Sequence, residues 1–283
     1  VDADRKELDM AYHFEAVDYA KSPDGYDLVG LKKIFTRWDS SFATNGWLSI
    51  FLTNHDQARL VSRWGNDSPE FGAPSAKMLA TFILSMRGTP YWYNGDELGM
   101  TNIRFNSIKD YRDVAAINEY AFEKNSGGDT VALLKKFQFG QRDNGRTPFQ
   151  WNASANAGFT TGKPWLAVNP NYTTINEAIE DKDPQSILNY FRKMTALRNS
   201  TPALVYGKYT LLDANNPSIY AYTRELNGKK LLVLLNFKNE TAAVNTGLDM
   251  NGSKVLINNY NTARTNMLSL RPYEATIYEL QTP

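Results

Sequence analysis

The chain has 283 residues, enough for one large domain or two medium ones, each with its own core. Its 31 basic and 30 acidic residues leave a net charge of +1, which gives no electrostatic reason to expect nucleic acid or a membrane surface as partner. No window approaches the roughly 18 uninterrupted apolar residues of a membrane span, and the absence of cysteine excludes disulfides and thiolate metal sites.

The chain opens on Val1 rather than Met, in the charged segment VDADRKELD, with no signal-peptide pattern, and reads as a piece cut from something longer. Leu8 to Phe14 reads as a strand, followed by a polar loop at Ser22-Pro23-Asp24-Gly25. Over Leu28 to Phe42 the apolar residues Leu31, Ile34, Phe35 and Trp38 fall at helical spacing. Trp47 to Thr53 is the next strand. Residues 75–87 form a helix with Met78, Leu79, Phe82, Ile83 and Met86 on its inner stripe, ended by Gly88 and Pro90. Tyr91 to Tyr93 is a third strand. Three strand–helix units in this order imply a parallel sheet.

A long, mostly polar excursion over roughly 100–182 precedes the next helix. There Asp183 is the expected cap and Pro184 the first turn, Ile187, Leu188, Phe191, Met194 and Leu197 face inward, and Thr201-Pro202 is the stop. After Pro202 the pattern turns all-β. Ser218–Leu226 and Lys230–Phe237 flank Asn227-Gly228, a hairpin signal, and Val255–Tyr260 and Ala275–Leu280 add strands. The expected division is 1–202, α/β, and 203–283, a small antiparallel β-sandwich. Three strands do not close a parallel barrel, which again points to an absent upstream part.

The chemistry-bearing residues cluster where the apolar run Trp47–Leu52 gives out, at Asn54-His55-Asp56. One of the chain's two histidines is here. Alone, His55-Asp56 reads first as a salt-bridged loop at a strand end. Aromatics at 13%, with 16 Tyr and 6 Trp, either fill a core or offer flat faces to sugars. Asp96 and Glu97 follow the third strand; one of them could pair with Asp56 as a second carboxylate, but Gly-Asp-Glu is more simply a turn. His13 reads as a satisfied core or rim residue, and Glu15 and Asp18 as rim candidates without roles.

Three segments together, FLTNHDQAR (51–59), RGTPYWYNGDELGMTN (87–102) and RDNGRTPFQW (142–151), resemble glycoside hydrolase family 13, in its oligo-1,6-glucosidase and α-glucosidase branch. The resemblance implies a (β/α)8 TIM barrel followed by an antiparallel β domain. The three strands here would be the sixth, seventh and eighth, and Asp56 would lie at the C-terminal end of the seventh, the face where barrel active sites sit. It further implies that Asp56 is the catalytic carboxylate that hydrogen-bonds sugar hydroxyls more strongly in the transition state. His55 would donate to a hydroxyl of the same sugar, and Arg142 would hold the terminal glucose by its planar fork. Arg142 reads otherwise as an ion pair with Asp143 or a loop brace; Arg146 reads as structural, and Trp151 as loop core or sugar platform.

The family's nucleophile and its acid/base glutamate would lie upstream of Val1, as would a calcium-type loop. No metal or other cofactor is expected in this chain, and the isolated 283-residue polypeptide is expected to be inactive. The expected partners are α-glucoside oligosaccharides and an N-terminal half. Sucrose isomerases of the branch carry an arginine-rich segment after the sixth strand; AVDYAKSPD here has no arginine, which favours hydrolysis. Phe149 in RTPFQW occurs on both sides and decides nothing. A transglucosidase, an isomerase or a non-catalytic subunit on the same fold are the alternatives.

Overall fold

The computed structural model describes residues 4–20, 25–42, 46–262 and 269–281. The expected loop at Ser22–Gly25 lies outside them except for Gly25. After the short helix α1 (Glu15–Tyr19), α2 (Leu28–Ser41) starts at Asp27, whose carboxylate caps it by accepting from the backbone N–H of Val29 and Gly30. Its Leu28, Leu31, Ile34 and Phe35 are buried, as the helical spacing requires.

β1 (Ser49–Ile50) and β2 (Thr89–Pro90) pair in parallel, with Thr89 N–H on Leu48 O and Tyr91 N–H on Ile50 O. Between them run α3 (Leu60–Trp64) and α4 (Gly72–Ser85). The ladder is thus two residues earlier than the expected Tyr91–Tyr93. The strand expected over Leu8–Phe14 does not form. That segment makes no ladder bond to β1 among the described residues. It leans on β1 through side chains, with Ser49 Oγ donating to Ala11 O at 2.8 Å. A strand without ladder bonds on either side has nothing to hold its extended backbone in register.

α4 is buried almost all round, as a helix caught between two layers must be. Its hydroxyls find partners: Thr81 with Tyr190 at 2.7 Å, and Ser85 with Tyr222 at 2.6 Å. The polar excursion is not unstructured. It holds α5 (Val114–Asn125) and α6 (Thr130–Gly140) around a small core of Phe105, Tyr111, Ala116, Phe137 and Leu166, and the short α7 (Glu177–Glu180), which packs against the next helix. α8 (Ile187–Ser200) is capped by Ser186, which accepts from Asn189 N–H, and not by Asp183; Asp183 and Pro184 form the turn before it. Pro202 stops α8 and opens α9 (Pro202–Tyr206), since it lacks only an N–H that a first turn does not use.

The rest is antiparallel. β3 (Lys208–Leu212), β4 (Ile219–Leu226), β5 (Lys229–Asn236), β7 (Lys254–Asn258) and β9 (Ala275–Glu279) form one sheet in the order β3-β4-β5-β9-β7. β6 (Ala242–Ala243) and β8 (Ser269–Leu270) form a two-stranded ribbon. The β4–β5 turn places Asn227 at φ 50° and Gly228 at φ 79°, the left-handed pair that a two-residue hairpin needs.

One face of the sheet, with Tyr220, Tyr222, Val233 and Ile277, shares a core with Phe35, Met78, Phe82 and Met194 of the helices. The other face, with Ile219, Leu232 and Leu234, packs on Ala242, Val244 and Leu270. Burial on both faces explains why β4 and β5 read as continuous apolar runs. The two layers are also pinned by Lys32, fully buried on α2. Its ammonium donates to the carbonyls of Asp213, Asn216 and Ile219 at 3.1, 2.8 and 3.0 Å.

Candidate active site

The chain leaves β1 into the turn Asn54-His55-Asp56-Gln57. Asn54 Oδ1 accepts the Asp56 N–H at 2.8 Å, and Asn54 O accepts the Gln57 N–H at 3.1 Å. Asparagine at the head of the turn therefore folds the backbone back and turns Asp56 outward. The Asp56 side chain is 47% exposed, and His55, 71% exposed, sits with Nε2 3.3 Å from Asp56 Oδ2.

RDNGR forms a 3-10 turn (Arg142–Arg146) that closes over this loop, and each of its residues has a task. Arg142 Nη1 donates to Asp56 Oδ1 at 2.9 Å, while its Nε donates to Asp113, the buried cap of α5. Asp143 is buried and accepts the backbone N–H of Arg112 and Asp113 at 2.7 and 2.9 Å. Asn144 donates to Phe137 O and Gln141 O at 3.0 and 2.9 Å. Gly145 must be glycine, because a Cβ there would fall 2.3 Å from Gln57 O; its own carbonyl accepts from Tyr93 Oη at 3.1 Å. Arg146 donates to His55 O at 2.7 Å through Nε and to Asp56 Oδ1 at 2.7 Å through Nη2.

Asp56 Oδ1 thus accepts one N–H from each of two guanidinium groups. Burial pushes its carboxyl up, but the hydrogen bond from Arg142 and the charges of His55, Arg142 and Arg146 outweigh this and hold it below the ordinary carboxylate range. It is an anion at neutral pH with lone pairs still open to solvent. It opens on a cavity of about 320 Å³ lined also by Tyr12, Phe14, Phe51 and Tyr91.

Beneath the site, Arg59 ties the segments together. Its N–H goes to Asn102 Oδ1 at 2.9 Å and its Nη1 to Asn94 O at 2.6 Å. Asp96 is buried, accepts from Thr53 Oγ1 at 2.5 Å, and is pushed up to about 6 by that burial. Its other oxygen accepts the Leu60 N–H at 3.4 Å, and it is not among the residues that line the Asp56 cavity. Glu97 caps its own turn through the Gly95 N–H.

The sequence-named residues Asp56, His55 and Arg142 are therefore together. Arg142 does not pair with Asp143. Arg146, read from sequence as structural, is bonded directly to Asp56; the signal was its spacing four residues from Arg142 across a tight turn. Asp113 was missed, though an aspartate before an apolar run is an N-cap signature. His13 is buried and stacks on Trp38 with ring centroids 4.5 Å apart; burial pushes it down, toward the neutral imidazole, opposed by the Ser49 backbone and Glu15 beside it. Glu15 is held by Arg37 and by Trp38 Nε1. Trp151 is half exposed and packs on Phe149. Among the described residues no group of three or more His, Asp or Glu is placed to hold a metal ion, and no helix is long and apolar enough to cross a membrane.

The profile described as alpha amylase, catalytic domain, matches residues 1–207. The chain belongs to the alpha-amylase family. A second profile, the maltogenic amylase C-terminal domain, matches residues 209–277. The oligo-1,6-glucosidase of Parageobacillus thermoglucosidasius is 42% identical over 100% of this chain and 52% of its own length; that of Bacillus cereus is 44% identical over 98% and 52%. The trehalose-6-phosphate hydrolase of Bacillus licheniformis superposes with a TM-score of 0.92 at 38% identity, over 99% of this chain and 52% of that one. The isomaltulose synthase of Klebsiella sp. LX3 gives 0.91 at 37%, over 99% and 52%. The chain spans about half the length of these relatives. The parallel β1–β2 pair with its helices is the C-terminal part of this family's (β/α)8 barrel, and an antiparallel β unit follows it.

Proposed function

We propose that this chain is the C-terminal part of a retaining α-glucosidase, which removes glucose from the ends of short α-1,6- or α-1,4-linked oligosaccharides. The observation that carries this reading is the state of Asp56: ionised, oriented by two arginines, and half open toward a cavity with aromatic walls. Asp56 is the catalytic carboxylate that accepts hydrogen bonds from sugar hydroxyls. As the ring flattens toward an oxocarbenium ion its hydroxyls become better donors, so an anion held in place gains more in the transition state than in the ground state. Arg142 and Arg146 fix the carboxylate in advance, so no reorganisation is spent during the reaction. Arg142 still has donors to offer the sugar, and His55 donates to a hydroxyl beside it without needing a charge.

The nucleophile and the acid/base carboxyl belong to the part of the protein that corresponds to the remaining length of the relatives. The test is product analysis of the full-length enzyme on isomaltose, maltose and sucrose. Release of glucose from isomaltose or maltose, with the α-anomer formed first, is the expected result; sucrose isomers as main product, or no turnover of any of the three, would overturn it. The 283-residue chain by itself is expected to release no glucose.

A further inference from the structure

The turn that carries Asp56, residues 54–59, hangs between Thr53 and Leu60, the first residue of α3. Both of these ends meet one carboxylate. Asp96 Oδ2 accepts from Thr53 Oγ1 at 2.5 Å, and Asp96 Oδ1 accepts the Leu60 N–H at a longer 3.4 Å. Asp96 is only 3% exposed, and a carboxylate taken out of water is costly unless its oxygens are met. Burial pushes its carboxyl up, while the charge of Arg59 and the bonds from Thr53 and Leu60 pull it back, against the added charge of Glu97. The partners that offset the burial of Asp96 are thus residues of the Asp56 turn and its two ends.

Asp96 is itself held. It opens a 3-10 turn (Asp96–Leu98); its N–H donates to Tyr93 O and its carbonyl accepts from the Gly99 N–H, both at 3.1 Å. Gly95 before it lies at φ 96°, and a Cβ there would fall 2.7 Å from Arg59 Nη1, which donates to Asn94 O at 2.6 Å. The bonds inside the Asp56 turn, from Asn54 to the N–H of Asp56 and of Gln57, set its shape. The bonds from its two ends to Asp96 set where that shape stands on the loop after β2.

We propose that Asp96 is a positioning residue for the reaction: it clamps Thr53 and Leu60 and so places the Asp56 carboxylate against the sugar. Arg142 and Arg146 aim the carboxylate from above, and Asp96 fixes the backbone beneath it. The role in the reaction rests on the glucosidase reading; the clamp itself does not.

Two measurements on the full-length protein test it, with Thr53→Val, which keeps the shape and removes the hydroxyl, Thr53→Ser, which keeps the hydroxyl, and Asp96→Asn, which removes one of the two acceptors. In the first, amide hydrogen exchange at Asp56, Gln57, Arg59 and Leu60 is expected to quicken about tenfold in Thr53→Val and Asp96→Asn, with α4 unchanged and Thr53→Ser like wild type. Unchanged exchange in the turn, or an equal rise in α4, overturns the clamp and leaves the glucosidase reading intact. In the second, Thr53→Val is expected to lower kcat on isomaltose about tenfold with KM within about twofold. Thr53→Ser is expected to restore it, and Thr53→Val added to Asp56→Asn to lower the rate no further. A further tenfold loss in that double variant overturns the proposal, because Thr53 and Asp96 would then act without Asp56. A wild-type enzyme that cleaves neither isomaltose nor maltose refutes the glucosidase reading instead, and the exchange rates still decide the clamp.

Discussion

Replacing Arg142 by lysine keeps one positive charge and removes the fork. Arginine spans two carboxylates here, Asp56 through Nη1 and Asp113 through Nε; an ammonium is a point charge and serves one of them at a time. The two losses differ in size because the partners differ in burial. The Asp113 side chain is 1% exposed, so its lost charge-assisted bond costs about 2 kcal/mol. The Asp56 side chain is 47% exposed, and its pair contributes below about 1 kcal/mol. Arg142→Lys is therefore expected to lower the stability of the chain by about 2 kcal/mol, measured by urea unfolding. Double-mutant cycles apportion it: a coupling of about 1.5–2 kcal/mol is expected with Asp113→Asn and under about 0.5 with Asp56→Asn. A coupling to Asp113 below about 0.5 kcal/mol would refute the reasoning, because the arm that fixes Arg142 would not exist in solution.

Lys32→Met strands three buried carbonyls that the ammonium now satisfies; it is expected to cost roughly 3 kcal/mol, read as a fall in urea midpoint with unchanged slope. Glu180 is buried, and that burial pushes its carboxyl up to about 7 from 4.5. A raised acid contributes stability that is full below its ordinary value and is lost as pH rises through the folded one, so wild-type stability falls between those limits, and Glu180→Gln is expected to flatten the fall in urea midpoints over the same window. Gly145→Ala drives a methyl into Gln57 O, and is expected to lower full-length activity about 10²-fold by lifting the RDNGR turn off Asp56, against wild-type activity if the turn adapts.

The sequence revealed the parts of the fold whose residues carry a period or a cap. α2 and α4 announced themselves by apolar spacing, and the β4–β5 hairpin by Asn227-Gly228. α5 and α6 were hidden because each buries a single side chain, Ala116 and Phe137, so neither shows an apolar face; only their caps, Asp113 and Asp129, marked them. The Leu8–Phe14 run has strand-like composition, but strand structure is a pairing, and composition does not report whether a partner is engaged. At the site, residue types with one chemical meaning were legible: a carboxylate, an imidazole and a guanidinium in matching motifs. Who bonds to whom was not, because Arg146 and Asp113 reach Asp56 and Arg142 across 90 and 29 residues of chain. The sharing of one core by helices and sheet was equally invisible, since it depends on which face of β4 and β5 each layer covers.

The central claim is that Asp56 is held for catalysis and contributes little to folding. The most direct measurement is kcat/KM of full-length Asp56→Asn on isomaltose, beside its unfolding midpoint. A loss of about 10³-fold or more with a midpoint near wild type is the predicted result. Activity within about tenfold of wild type, or a collapse of the fold that accounts for the loss, would contradict it.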